Sequence, residues 1–277
     1  MAGLRELGLV EGKNLIIEYR WAEGKYERLP GLAAELVQMK VNVIVAGGGP
    51  AVQAAKEATA SIPIVMVRVG DPVGSGFVAS LSRPGGNITG LSNIIGEVAG
   101  KYVDLLRAAV PQLSRVTVLM NPNTPSHPEY LQRIQAAGKT NAVTVSSIQA
   151  STASQIEAAF DAMKQERAGA LIVLADPFLS SQAQRIVELA AQHRLATMFW
   201  TRRPVEAGGL MSYGQNNAEH HYRAATYIDK ILKGANPGDL PVEQATKVEL
   251  VINLKTAKAI KLTIPQQLLL QADKVIE

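Results

Sequence analysis

The sequence of 277 residues contains no cysteine, which excludes thiol catalysis, disulfide bonds and metal sites built on thiolates. Aromatic residues make up only 5% of the chain, which argues against a core of stacked rings. No apolar run approaches the ~20 residues that a helix needs to cross a bilayer. The 28 basic and 24 acidic residues are scattered, without a basic patch interleaved with aromatics. We therefore expect neither a membrane-spanning protein nor a nucleic-acid-binding one.

The remaining composition is that of a folded chain with room for two lobes. Hydrophobic residues make up 47% of the sequence and charged residues 19%, a balance that favours a folded protein over a disordered one. The length of 277 residues is sufficient for two lobes of ordinary size, each with its own core. The opening residues, MAGLRELGLVEG, lack the charged-then-apolar pattern of a signal peptide.

The first part of the sequence alternates strand-like and helix-like segments. Aliphatic and β-branched residues predict strands over 14–20, 41–47 and 62–70. Apolar residues at helical spacing predict helices over 28–39 and 51–59. The order β-α-β-α-β predicts a parallel sheet with right-handed crossovers.

A second series of the same kind follows along the chain. The strands expected here lie over 115–121, 142–148, 169–176 and 196–200. The helices expected between them lie over 127–138, 153–166 and 180–193. Shorter strands, isolated or flanked by glycines, are expected at 87–93, 208–214 and 247–253. The sequence therefore predicts an α/β fold with two lobes that vary one pattern.

The stretch VIVAGGGPAVQAAK (43–56) is a strand, three glycines and the start of a helix. A dinucleotide fingerprint needs a small residue where Val52 stands, and an acidic residue about 20 positions further on, where this chain has VRVG. A Walker loop needs Gly-Lys-Ser/Thr, but Gly49 is followed by Pro50. Two interpretations stay open. Either the glycines let a ligand approach the backbone beside a helix N-terminus, or the loop is a tight turn without a ligand.

Three predicted strands end in a polar residue followed by proline: Asp71-Pro72, Asn121-Pro122 and Asp176-Pro177. A residue before proline is held extended, so its side chain points where the strand points. Ligands of open parallel sheets bind beyond the carboxyl ends of the strands. The alternative is that each Asp or Asn caps the following helix or makes an Asx-turn.

The sequence supports no catalytic pattern. Asp71 and Asp176 form a conceivable carboxylate pair, but nothing marks either as having a raised pKa, so glycoside hydrolysis is not indicated. The residues Gly74-Ser75-Gly76 match the nucleophile elbow of hydrolases only in degenerate form.

The four histidines are His127, His193, His220 and His221. The adjacent pair cannot share one face of a helix, and no acidic pair at ligand spacing accompanies any of them. We expect all four at surface positions of helices, and we expect no metal site.

Three long stretches of the chain are IEYRWAEGKYERLPGLAAELV, GDPVGSGFVASLSRPGGNITGLS and VEAGGLMSYGQN, and the third is followed by AATYIDKILKGANPGDLPVEQATKVELVINLKTAKAIKLTIPQ. Together they resemble ABC-transporter substrate-binding proteins of the group with tryptophan- and tyrosine-binding members. The resemblance covers nearly the whole chain. It implies a type I periplasmic-binding-protein fold, in which two Rossmann-like lobes with parallel sheets are joined by three hinge crossings. The lobes would comprise 1–89 with 215–246 and 90–211 with 250–277, with hinge strands near 87–93, 208–214 and 247–253.

The resemblance also implies a binding site made of loops. The implied ligand-binding residues are Gly48, Gly49, Ala51, Asp71, Pro72, Asn121, Asp176, Ser212, Tyr213 and Gly214. Tyr213 would offer a ring and a hydroxyl to a small molecule. The chain departs from the family pattern at Gly49, where relatives often have a hydroxyl residue, and at Thr124, where an asparagine is common.

The function that the resemblance implies is transport. The protein would be a non-catalytic solute-binding component of an ABC importer, periplasmic or otherwise extracytoplasmic, without a cofactor. It would bind a small organic molecule, with an amino acid suggested by the family, and close on it by hinge motion. Its partners would be an ABC permease and the ATPase subunit. The alternatives are a nucleotide-using enzyme on a doubly wound fold and a ligand-sensing domain.

The start of the chain departs further from the family pattern. The opening MAGLRELG resembles the end of the first helix of relatives, so we expect the signal peptide and the first, central strand to be absent. We also expect the chain as given to be less stable than a full-length relative, because the loss of a central strand leaves backbone groups unpaired.

Overall fold

The computed structural model describes residues 2–215, 217–244 and 247–277, with the side chains of 217–221 outside the described part. The chain divides into two compact units. The first unit comprises Met1–Asn93 and Asn217–Ala245, and the second comprises Ile94–Asn216 and Thr246–Glu277. The backbone therefore passes between the units three times.

Each unit contains strands and helices in alternation. The strands of the described residues are β1 (Ile44–Gly47), β2 (Ile64–Val69), β3 (Ile88–Ser92), β4 (Arg115–Met120), β5 (Thr144–Gln149), β6 (Ala170–Val173), β7 (Ala196–Phe199), β8 (Met211–Gly214), β9 (Glu243–Gln244), β10 (Glu249–Asn253) and β11 (Lys274–Ile276). The helices are α1 (Ala2–Glu6), α2 (Leu29–Gln38), α3 (Gly49–Ala58), α4 (Ile95–Val98), α5 (Lys101–Ala109), α6 (His127–Thr140), α7 (Ala153–Gln165), α8 (Pro177–Ser181), α9 (Ala183–Gln192), α10 (Arg202–Glu206), α11 (Asn217–Leu232), α12 (Leu254–Ala259) and α13 (Gln266–Leu269).

The first unit is built on a parallel sheet in the order β1-β2-β3-β9. Its strand β2 is apolar almost throughout because both faces of the sheet are covered. Ile64 and Met66 pack into one cluster with residues of α3, whereas Val65 and Val67 pack into another with residues of α11. This alternation of side chains places one core on each face of the sheet.

The second unit has seven strands in the order β11-β10-β8-β7-β6-β4-β5. The pairs are parallel except β8 with β10, which is antiparallel. Strands β4, β6 and β7 bury nearly every residue, and large side chains of α5 and α6, such as Tyr102, Leu106 and Ile134, close one face. The predicted α/β architecture is confirmed, with this one antiparallel pair as a difference.

The predicted strand at 14–20 is wrong. This segment makes only an isolated bridge between Glu11 and Leu15, and Ile16 is 85% exposed. Arg20 donates to Glu35 of α2 at 2.7 Å, so the segment is held by a side chain. No described strand supplies a backbone ladder to it, and aliphatic content alone does not make a strand without such a partner.

Two further differences concern helix and strand boundaries. The helix predicted over 180–193 is two helices, α8 and α9, which are separated at Gln182; α8 starts earlier than predicted, at Pro177, because Asp176 caps it. The short strand β11, which pairs with β10 at the edge of the second sheet, was not predicted. In the described part of the chain, no helix combines the length and apolar character required to cross a membrane.

Candidate functional site

The glycine loop joins β1 to α3 at the carboxyl end of the first sheet. Gly48 has a φ of 86°, a left-handed conformation that other residues adopt only with strain. Its N–H donates to the carbonyl of Val67 at 2.9 Å, and Val52 behind it is fully buried. Pro50 lies in the first turn of α3, where its missing N–H costs nothing. The N–H groups of Gly49 and Ala51 at this helix start have no intrahelical acceptor, so this edge presents donors.

Asp71 and Pro72 lie at the next strand end of the same sheet. Asp71 is not extended, as predicted for a residue before proline, but has a φ of 30°. Its Oδ1 accepts from the N–H of Gly74 at 2.8 Å, and this Asx-turn holds the unusual backbone. Of the two roles left open for Asp71, the structure shows the turn-forming one.

Asn121 and Asp176 meet in the second unit, at the carboxyl ends of the neighbouring strands β4 and β6. Asn121 donates to Oδ1 of Asp176 at 3.2 Å and accepts from the N–H of Asn123 at 3.0 Å. Asp176 also accepts from the Thr124 hydroxyl at 2.7 Å and caps α8 through the N–H of Leu179 at 2.8 Å. Asn121 and Asp176 are almost fully buried. Their hydrogen bonds fix two loops to each other, and Thr124, a departure from the family pattern, takes part in this network.

His127 completes this network and corrects the prediction of a surface histidine, since its side chain is fully buried. Its Nδ1 lies 3.0 Å from the N–H of Asn121, and its Nε2 lies 3.1 Å from the carbonyl of Ala175. A neutral ring with the proton on Nε2 satisfies both, because it accepts at Nδ1 and donates at Nε2. The ring thereby ties the end of β4 to the end of β6.

Burial lowers the pKa of His127, and this effect outweighs the opposing effects of the Ala175 carbonyl, the nearby charge of Asp176 and the backbone of Asn121. His193 is partly exposed, and the side chains of His220 and His221 lie outside the described residues.

The stability of the protein is expected to fall as the pH drops below 6.5. The folded state keeps His127 neutral, so the unfolded state binds the extra proton first, and stability present above the ordinary histidine pKa is lost below it. His127→Gln keeps one acceptor and one donor, and is expected to flatten the dependence of the urea midpoint between pH 7 and 5. His193→Gln is the matched control and should retain the slope. An unchanged slope in the first variant would show that other groups cause it.

The third predicted group lies on β8, next to β7 and antiparallel to β10. Ser212 is buried, and its hydroxyl has no hydrogen-bond partner in the described part of the chain. Tyr213 is partly exposed and lies close to the core of the unit. A Cβ on Gly214 would overlap the carbonyl oxygen of Trp200, so only glycine fits this position without a shift.

Two polar side chains near β8 were missed by sequence reasoning. Gln215 directly follows β8; it is 1% exposed, yet neither its amide nitrogen nor its amide oxygen has a partner among the described residues. The hydroxyl of Tyr102, on α5, is also buried, with no partner that the structure describes. Burial together with Tyr130 and Tyr213 raises the pKa of Tyr102. Unpaired buried polar groups are costly. Tyr102 lies near Tyr213, and Gln215 follows the same strand, whereas Ser212 points to the opposite face of the sheet. Nothing in the sequence pattern distinguished Gln215 or Tyr102.

The predicted site residues thus form two groups, one in each unit. Gly48, Gly49, Ala51, Asp71 and Pro72 lie in the first unit, and Asn121, Asp176, Ser212, Tyr213 and Gly214 lie in the second. Each group stands at or near strand ends of its own sheet. Among the described residues, no three His, Asp or Glu side chains are grouped as metal ligands would be.

A family profile described as "ABC transporter substrate binding protein" matches residues 1–276. The chain belongs to this family. Its members are substrate-binding proteins and not enzymes, so the alternative of a nucleotide-using enzyme is set aside. The resemblance drawn from the sequence motifs is confirmed.

Relatives of known name or structure support the same assignment. A tyrosine-binding protein of Clostridioides difficile (strain R20291) is 27% identical over 257 residues, which are 93% of this chain and 74% of that protein. A conserved domain protein from Vibrio cholerae has a similar crystal structure, with a TM-score of 0.92 and 28% identity over 99% of this chain and 92% of that one. An ABC domain from Streptococcus pneumoniae, crystallised with L-Trp, has a TM-score of 0.91 and 26% identity at the same coverage. The periplasmic-binding-protein fold is thereby confirmed.

Proposed function

We propose that this protein is the solute-binding component of an ABC importer and that its solute is an aromatic amino acid, tryptophan or tyrosine. The observation that carries the proposal is the similarity over nearly the whole chain to two proteins whose names state such ligands, a tyrosine-binding protein and a domain in complex with L-Trp. The family match supports a permease and an ATPase subunit as partners and an extracytoplasmic location.

The arrangement of polar groups supports a zwitterionic solute with a large side chain. In the first unit, the start of α3 and its glycine loop present N–H groups suited to an anionic group. In the second, Tyr213 offers a ring, and the unpaired groups of Ser212 and Gln215 offer hydrogen bonds. In this proposal the two units close on the solute by hinge motion, as the resemblance implies.

The structural roles of three predicted residues refine the proposal. Asp71, Asn121 and Asp176 use side-chain oxygens in turns and a helix cap, so we assign them the task of holding the loops. The glycine loop and the end of β8 are the segments proposed to contact the solute directly. In this proposal Asp71, Asn121 and Asp176 affect the affinity for the solute indirectly, because they fix the geometry of the segments that contact it.

Thermal unfolding of the purified protein with a panel of L-Trp, L-Tyr, L-Leu, L-Lys, a nucleoside, glucose, NAD and ATP tests the proposal. A ligand at 100 times its dissociation constant stabilises the folded state by about 2.7 kcal/mol, which shifts the midpoint by several degrees. We expect this shift with L-Trp or L-Tyr and none with the sugar. A shift with NAD or ATP alone would contradict the transporter proposal. A shift with L-Leu or L-Lys alone would retain the transport role and reject the aromatic solute.

A further inference from the structure

Arg68 occupies an unusual place in the first sheet, as the penultimate residue of the otherwise apolar strand β2. Its neighbours Val67 and Val69 are buried. The pairing register with β3 shifts between these two valines, and Arg68 itself has a φ of 59°. A bulge of this kind turns a side chain away from the direction that the strand would impose. Left-handed backbone in a non-glycine residue persists only where the surroundings hold it, and such residues cluster at functional sites.

The bulge directs the guanidinium of Arg68 toward the end of β1. Its Nη2 lies 3.7 Å from the position that a Cβ on Gly47 would occupy, so the group lies beside the first residue of the glycine loop. The carbonyl of Arg68 accepts from the side chain of Asn93 at 3.3 Å, which helps to hold the backbone. The arginine therefore stands at the carboxyl end of the sheet, where open parallel sheets bind ligands.

The guanidinium of Arg68 has no carboxylate partner among the described residues, and its side chain is only partly exposed. Its Nε is shielded from solvent and has no hydrogen-bond partner, and no described carboxylate forms an ion pair with the group. The nearest acid along the chain, Asp71, accepts from Gly74 in its own turn. Burial lowers the pKa of Arg68, since desolvation disfavours the charged form.

Six other arginines of the described chain form ion pairs. Those that form ion pairs with glutamate at partly exposed positions are Arg20, Arg28, Arg133, Arg185, Arg202 and Arg223. Each has its carboxylate on the protein. Arg68 forms no ion pair among the described residues, which is also true of Arg83 and Arg107, but it combines a positive φ with an Nε that is shielded without a partner. The side chain of Arg68 is partly exposed, but its Nε is shielded without a partner among the described residues. A desolvated donor of this kind is unfavourable, so the arrangement is explained when the missing acceptor is part of a ligand.

We propose that Arg68 recognises the carboxylate of the solute and makes the protein selective for solutes that carry one. The planar guanidinium matches a carboxylate with two parallel hydrogen bonds, which gives orientation as well as affinity. The inference rests on the proposed function and adds to it: the amino acid is selected by its acid group in the first unit, independently of its side chain.

The test compares amino acids with their amides, which keep the ring and the ammonium group but lose the negative charge. Calorimetric titrations measure the binding of L-Tyr, L-Trp, L-tyrosinamide and L-tryptophanamide to the unaltered protein, to Arg68→Met and to Arg83→Met. A hydrogen-bonded pair with a charged partner contributes roughly 10- to 100-fold in affinity, so the unaltered protein should prefer the acid by about that factor. Arg68→Met should reduce the preference to about threefold or less. Arg83 is exposed in a loop of the same unit, and its variant should keep the full preference.

The outcomes separate this inference from the proposed function. If the unaltered protein prefers the acids and Arg68→Met keeps that preference, the role of Arg68 is rejected while the proposed function stands. Equal binding of acid and amide by the unaltered protein rejects it as well.

If none of the four compounds binds, the proposed function fails, and the thermal midpoint of the ligand-free protein decides on Arg68. If Arg68 is kept for a ligand at a cost in stability, the ligand-free Arg68→Met variant should have a thermal midpoint equal to or higher than that of the unaltered protein. A fall of the midpoint would show that Arg68 serves the fold.

Discussion

Replacement of Asp176 by alanine is expected to destabilise the protein by about 3–5 kcal/mol. The carboxylate is buried and accepts from Asn121 at 3.2 Å, from Thr124 at 2.7 Å and from the N–H of Leu179 at 2.8 Å. Alanine leaves these donors without an acceptor in a place that water does not reach. Each buried donor left unpaired costs about 1–3 kcal/mol, and the cap of α8 is lost with them. The urea midpoint of the variant measures the loss.

Two companion variants make this expectation specific. Asp176→Asn keeps an oxygen for the cap and should lie between the unaltered protein and the alanine variant. Asp161→Ala, on the exposed face of α7, is the matched control and should change stability by no more than about 0.5 kcal/mol. An Asp176→Ala midpoint equal to that of the control would show that the network does not hold the loops.

Gly214→Ala is the second substitution with a large expected effect, about 3 kcal/mol of lost stability together with weaker solute binding. The added Cβ would overlap the carbonyl oxygen of Trp200, which is backbone and has little freedom to move. Because Gly214 pairs with Glu249 of β10, a displacement of this residue also shifts Ser212 and Tyr213 on the same strand. Urea unfolding and titration with L-Trp measure the two effects.

Gly31→Ala serves as the control for the glycine substitution. Gly31 lies in α2, and a Cβ there meets nothing within 4 Å. Alanine is the better helix former, so this variant should be as stable as the unaltered protein or more stable by up to about 1 kcal/mol. If Gly214→Ala unfolds at the same urea concentration as Gly31→Ala, the strand tolerates the added methyl group and the argument from close approach is wrong.

Both expectations concern side chains and backbone at the ends of strands, and the sequence predicted some of the residues involved. The residues before proline at 71, 121 and 176 were identified as strand-end polar groups with two possible roles each. For Asp71 and Asp176 the structure shows the turn and the helix cap. The choice depends on whether a backbone N–H three residues later lies within reach, and spacing alone does not decide that.

The architecture, by contrast, follows largely from local pattern. The apolar runs over 62–70 and 169–176 contain the buried strands β2 and β6, and helical spacing of apolar residues located α2, α6 and α7. Such segments can be predicted from sequence because the burial of one or both faces determines the spacing of their apolar residues. The segment 14–20 has the same kind of composition but is not a strand, since a strand also requires a neighbour to pair with.

The sequence by itself determined the α/β class, the order of most elements, the family and the positions of the loops proposed to bind. Tertiary structure alone decided which side chains are shielded and whether they are paired. His127 was expected at the surface and is fully buried between two strand ends. Arg68, in an apolar strand, was not singled out; it lies beside Gly47 without a carboxylate partner among the described residues. Burial and pairing depend on residues distant in the chain that only folding brings together, so no local pattern records them.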